Sequence, residues 1–172
     1  MLTKKVEEIL ISQIQKEAYS SFLYLAMASW AEAEGFEGTS KWLYAQAEEE
    51  KVHMLKFVHY VNERGGKAII PSIQQPPSEY PSVHQVFEKV LTHEEHITSS
   101  INEIVSVCIS EKDFTTQNWV QWFVTEQIEE EASVRGIKDK LKLLGDGNLY
   151  LFDKDILSMR SKAKAADAPS AT

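Results

Sequence analysis

The chain has 172 residues, 43% of them hydrophobic and 26% charged, with a formal net charge of −8. That size suits one domain with a sizeable core, and the acidic balance disfavours nucleic acid while favouring cations. One cysteine, Cys108, excludes an internal disulfide and any paired-cysteine metal or redox motif, and fits a cytoplasmic protein. No apolar run approaches the roughly 18 residues of a membrane span, and the amphipathic start MLTKKVEEILISQIQKE is not a signal peptide.

The spacing of apolar residues predicts a first helix from about Thr3 to Glu34. Its stripe is Val6, Leu10, Gln13, Glu17, Tyr24, Ala28 and Ala31, with Thr3 as N-cap and EGFEG as the stop. A second helix is expected from about Ser40 to Arg64, capped by Thr39 or Ser40 and ended by Gly65-Gly66. Its stripe contains Leu43, Ala47, Glu50, Met54, Phe57 and Val61, with His53 at the edge. Residues 67–82 hold four of the five prolines and read as an extended connection. At about 3.3 Å per residue it can reach some 50 Å, more than the roughly 37 Å of a 25-residue helix. It can therefore carry the chain back along a whole bundle before the next helix starts.

A third helix is expected from about Ser82 to Ser110, with Glu94 interrupting aliphatic positions from Val83 to Cys108. A fourth runs from about Asp113 to Leu144, its apolar face broken near the middle by Glu126, Gln127 and Glu130. A short fifth helix, about Asn148 to Lys164, presents Leu149, Phe152, Ile156 and Leu157, expected to serve a contact between subunits. Residues 1–165 then form one domain and residues 166–172 a frayed tail. The fold class is all-α: an antiparallel four-helix bundle with one long crossover, the layout of ferritin-like folds, plus a short C-terminal helix.

The chemistry lies in the residues that interrupt the stripes. Glu50 and His53, three apart, leave one helix face. Glu17, Glu94 and Glu130 each fall near the middle of another long helix, so in an antiparallel bundle all five side chains meet at one level. Such a cluster in an apolar interior is severely destabilising without a partner, and two divalent cations bridged by carboxylates would resolve it. Carboxylate oxygens with one imidazole suit iron. A symmetric di-iron bundle would carry a second Glu-x-x-His where this chain has Gln127 and Glu130, so the two positions should be unequal, the one without imidazole looser. Tyr24, on the face of Glu17, can hydrogen-bond a ligand, donate an electron or serve as core. Trp122 reads as core, and His59, His84, His93 and His96 read as surface residues.

The chain resembles the bacterial non-haem ferritins through Glu17, Tyr24, Glu50, His53, Glu94, Trp122, Gln127, Glu130, the crossover length and the terminal helix. The resemblance implies a cytoplasmic shell of twenty-four subunits that oxidises Fe(II) with dioxygen or hydrogen peroxide and stores a ferric mineral. It implies one iron on Glu17, Glu50 and His53, and a second on Glu50, Glu94 and Glu130 with Gln127 close by. A third iron position would use Glu49, Glu126, Glu129 and Glu130. No haem is expected: a bacterioferritin would place methionine after the Glu50 position and a second Glu-x-x-His, where Lys51 and Glu130 stand. A mini-ferritin would usually lack the fifth helix, a rubrerythrin needs further cysteines, and a di-iron oxygenase is normally longer. The alternative from another class is a metal-free helical bundle with a structural or interaction role.

Overall fold

The computed structural model describes residues 1–166, with side-chain surroundings through Met159. Helices α1 (Lys4–Ala33), α2 (Glu37–Glu63), α3 (Val83–Ser110), α4 (Phe114–Leu144) and α5 (Leu149–Ala166) follow in order, with a 3₁₀ turn at Asp146–Asn148 before α5. The expected frayed tail lies outside the described residues.

Local chemistry sets most helix ends. Thr3 Oγ1 accepts from the Val6 amide, Ser82 Oγ from Gln85 and Asp113 Oδ1 from Thr116 at 3.4, 3.2 and 3.0 Å. Gly35, Gly65 and Gly145 take positive φ at the ends of α1, α2 and α4. The start of α2 departs from expectation. It begins at Glu37 rather than near Ser40, its N-cap is Phe36, and Phe36 makes no side-chain cap. Neither Thr39 nor Ser40 caps it, because the cap comes from α5 through Asp153, as described below.

Cross-helix pairs give the topology. Lys5 meets Glu111, Gln13 meets Ser100 and Tyr24 meets Glu94, so α1 and α3 are antiparallel. Ser21 bonds the Ala47 carbonyl, Gln46 meets Glu130 and Tyr60 meets Thr116, so α2 opposes both α1 and α4. Helices α2 and α3 therefore run the same way, which requires the chain to cross the bundle's length between them. The crossover does this against α1: Lys67 N–H bonds Glu7, the Ser72 carbonyl accepts from Gln15, and Tyr80 packs on Trp30.

The core is divided. One apolar cluster joins Val6, Leu10 and Ile14 to Phe57, Val61, Ile97–Cys108 positions and Phe123. The other joins Tyr24–Ala31 positions to Trp42, Leu43, Val83–Val90 positions, Ile137 and, from α5, Phe152 and Ile156. Between them lies a buried polar belt of Gln13, Glu17, Gln46, Glu50, His53, Glu94, Ser100, Gln127 and Glu130. All four long helices contribute, because each apolar stripe is interrupted at the same height.

Helix α5 is part of this bundle. Asp153 Oδ2 accepts from the Gly38 amide, and Oδ1 from the amide and hydroxyl of Thr39, each at 2.8 Å. A carboxylate thus sits at the positive end of the α2 dipole. A Cβ on Gly38 would lie 1.8 Å from the Asp153 carbonyl oxygen, so only glycine permits this approach. The expected role of the α5 apolar face is corrected accordingly. Phe152 and Ile156 are fully buried against their own bundle and Leu149 packs beside them, whereas Leu157 is exposed.

Candidate metal centre

Each carboxylate of the belt is delivered by a different helix, and Glu17, Glu94 and Glu130 are each positioned by a neutral donor. On α1, Glu17 Oε1 accepts from Gln13 Nε2 at 2.8 Å, and Gln13 Oε1 accepts from Ser100 Oγ at 2.8 Å. On α3, Glu94 Oε1 accepts from the Tyr24 hydroxyl, and Oε2 accepts from Gln127 Nε2 at 3.0 Å. On α4, Glu130 Oε2 accepts from Gln46 Nε2 at 2.9 Å. Helix α2 supplies Glu50 and His53, whose Nδ1 lies 3.5 Å from Glu50 Oε2. The His53 ring is wedged edge-on against Trp122 and Phe123.

Ligand atoms of Glu17, Glu50 and His53 all lie within 4.8 Å of one another, and all three residues are buried. Glu17 Oε2 is buried and accepts no hydrogen bond. No lysine or arginine is buried among the described residues, so side-chain cations do not compensate the cluster. Burial raises Glu17 to about 7 and Glu130 to about 8, and drives Glu50 and Glu94 upward as well. Burial likewise keeps the Tyr24 phenol protonated and able to donate. An orphaned carboxylate oxygen, hard oxygen donors and a single imidazole at bonding separation fit a divalent cation such as Fe(II).

A second group opens outward from the first. Glu49, His53 and Glu126 also bring ligand atoms within 4.8 Å of one another, with the two glutamates half-buried. They line a concavity of about 350 Å³ with Ala45, Glu48, Val52, Lys56 and Trp122. Glu129, expected beside them, is exposed, and Glu130 Oε2 accepts from Gln46.

Two expectations about neighbouring residues are corrected. Trp122 is 42% exposed rather than core, with the Lys56 ammonium over its ring. His93 is half-buried rather than a free surface residue: its Nε2 lies 2.7 Å from Ser20 Oγ, its ring packs on Tyr19 and Tyr24, and burial lowers it to about 4. His84 is half-buried, near Asp146. His59 and His96 are exposed, as expected. Gln46, Ser100 and Thr98, which positions Gln127, escaped sequence reasoning because uncharged polar residues on a helix rarely signal a site. Gln13, already on the apolar stripe, was the visible hint.

The sequence pattern of the ferritin-like domain matches residues 7–144. The chain belongs to the ferritin family. A probable bacterial non-heme ferritin-like protein of Haemophilus influenzae is 46% identical over 165 residues, covering 95% of this chain and all of that protein. The bacterial non-heme ferritin of Campylobacter jejuni is 43% identical, covering 95% of this chain and 99% of its own. Among solved structures, an open pore ferritin of the archaeon Archaeoglobus fulgidus superposes with a TM-score of 0.89 at 42% identity, covering 91% of this chain and 96% of that one. This ferritin combines a four-helix bundle with a carboxylate-histidine cluster able to hold a metal, consistent with iron storage, and a metal-free bundle is not favoured. No helix among its described residues is long and apolar enough to cross a membrane.

Proposed function

We propose that this ferritin is a ferroxidase that binds two Fe(II) ions per subunit, oxidises them with dioxygen or hydrogen peroxide, and passes ferric product to a mineral inside a shell of twenty-four subunits in the cytoplasm. The observation that carries this reading is the buried belt itself, with four carboxylates and one histidine meeting in an apolar bundle and no buried lysine or arginine among the described residues.

The residues divide the work. Glu17 and His53 would hold the first iron, and Glu50 would serve both it and the second. Glu94 and Glu130 complete the second position, and Gln127 orients Glu94 through its amide. Tyr24 holds the other Glu94 oxygen. Carboxylates favour Fe(III) over Fe(II), so they supply driving force for oxidation. Their raised affinity for protons means that binding iron releases protons and that an emptied centre can take them back. Glu49 and Glu126 provide a third, more open cation position, with Glu129 and Glu130 beyond it. No haem is assigned, since Lys51 follows Glu50 and Glu130 stands where a second Glu-x-x-His would end. Exposed Phe22, Leu25, Ile69 and Ile70 support assembly, since such side chains on outward faces gain by burial between subunits.

The test is anaerobic addition of Fe(II) at a few ions per subunit, followed by oxygen and near-ultraviolet absorbance. Rapid ferric absorbance should be lost in Glu50→Ala and kept in His96→Ala. Oxidation no faster than in buffer, and equal in both variants, would overturn the ferroxidase reading.

A further inference from the structure

Lys56 stands where a cation site would be expected to hold only acids. It follows His53 by one helical turn and Glu49 by two, so the three share a face of α2. Across the concavity, Trp122 precedes Glu126 by one turn of α4. The Lys56 ammonium lies 2.9 Å from the centroid of the Trp122 ring, and Glu126 and Glu49 both attract it. It is the one lysine or arginine among the residues lining this concavity, facing Glu48, Glu49 and Glu126.

We propose that Lys56 is a specificity-determining residue, a tethered cation that competes with divalent metal for the outer triad of Glu49, His53 and Glu126. The inference rests on the reading of Glu49 and Glu126 as a cation position. Two positive charges within a few ångströms repel, and the repulsion is strong where water is partly excluded. A metal ion arriving between Glu49 and Glu126 therefore meets a like charge held beside them. The indole face holds that ammonium there, 2.9 Å from the ring centroid, because the ring quadrupole attracts a cation. The consequence is an outer position of deliberately low affinity beside a tight inner one. Iron then passes through the outer triad without lodging there, and His53, common to both groups, links the two steps.

The test uses Zn(II), which is redox-inert, so binding is read apart from oxidation. Intact protein is titrated calorimetrically, and indole fluorescence is followed in parallel with Trp122→Phe as the control for Trp122's share. Native protein should show a tight class and a weak class, with the weak class changing Trp122 emission. Lys56→Met should bind the weak class about tenfold more tightly or better, the loss of one nearby like charge, and leave the tight class unchanged. Lys56→Arg, which retains charge, should resemble native protein. Glu126→Gln should lose the weak class. Unchanged or weaker binding of the weak class by Lys56→Met would overturn the proposal, as would a weak class that survives Glu126→Gln or is absent throughout. Loss of the tight class in native protein would instead overturn the inner centre proposed above.

Discussion

A buried carboxylate without a compensating cation is a liability that the apolar interior enforces at the level of single residues. Glu50 is 2% exposed, within a cluster that no buried lysine or arginine offsets. Removing its charge should therefore stabilise the metal-free protein while damaging the centre. Glu50→Leu is expected to raise unfolding free energy in chelator by about 1–3 kcal/mol, read from urea midpoints, and to lose tight Zn(II) binding. A loss of stability in chelator would contradict the strain assigned to the belt. Tyr24 offers a second residue-scale test. Tyr24→Phe frees Glu94 from its hydrogen bond to the Tyr24 hydroxyl but leaves the packing intact, so oxidation should slow while cation stoichiometry stays the same.

At the scale of elements, α5 ties itself to the start of α2. The tie has two parts: the apolar seat of Phe152 and Ile156, and the Asp153 cap on Gly38 and Thr39. Phe152→Ala should cost about 3–5 kcal/mol, and Asp153→Ala about 1–2 kcal/mol. Gly38→Ala should release α5 outright, because the added methyl would collide with the Asp153 carbonyl oxygen. Proteolysis should then cut between α4 and α5, with the four-helix core intact by circular dichroism. Arg64 plays a comparable part at the opposite end, where it donates to Tyr60, Thr116 and Asp113 and closes α2 onto α4.

For the whole molecule, pH and cation act through the same belt. Glu17 and Glu130 have folded-state values raised to about 7 and about 8, from an ordinary value of 4.5. The folded state therefore holds more protons than the unfolded chain between those limits, and stability falls as pH rises through that window. Metal-free protein should melt at a lower temperature at pH 8 than at pH 5.5. A divalent cation should reverse the order, because it binds the deprotonated folded state. Scanning calorimetry at both pH values, with and without Zn(II), checks this. Assembly is the other whole-molecule property. Phe22→Asp with Leu25→Asp should yield smaller particles by sedimentation, as the charges would be buried at a contact.

What the sequence by itself determined was periodicity and its interruptions. The heights at which Glu17, Glu50, Glu94 and Glu130 break their stripes were readable, because a helix converts spacing into direction and the run of prolines dictates the crossover. The convergence of Glu17, Glu50 and His53 followed from that. Pairing between helices was beyond its reach. The amides that hold Glu94 and Glu130 come from other helices, the α2 cap comes from α5, and Ser20 fixes His93 from the neighbouring α1. Trp122 lies outside the core because Lys56 of α2 faces its ring, which no spacing along α4 encodes. Only the tertiary structure decided these, since each depends on which residue a distant segment brings within hydrogen-bonding or contact distance.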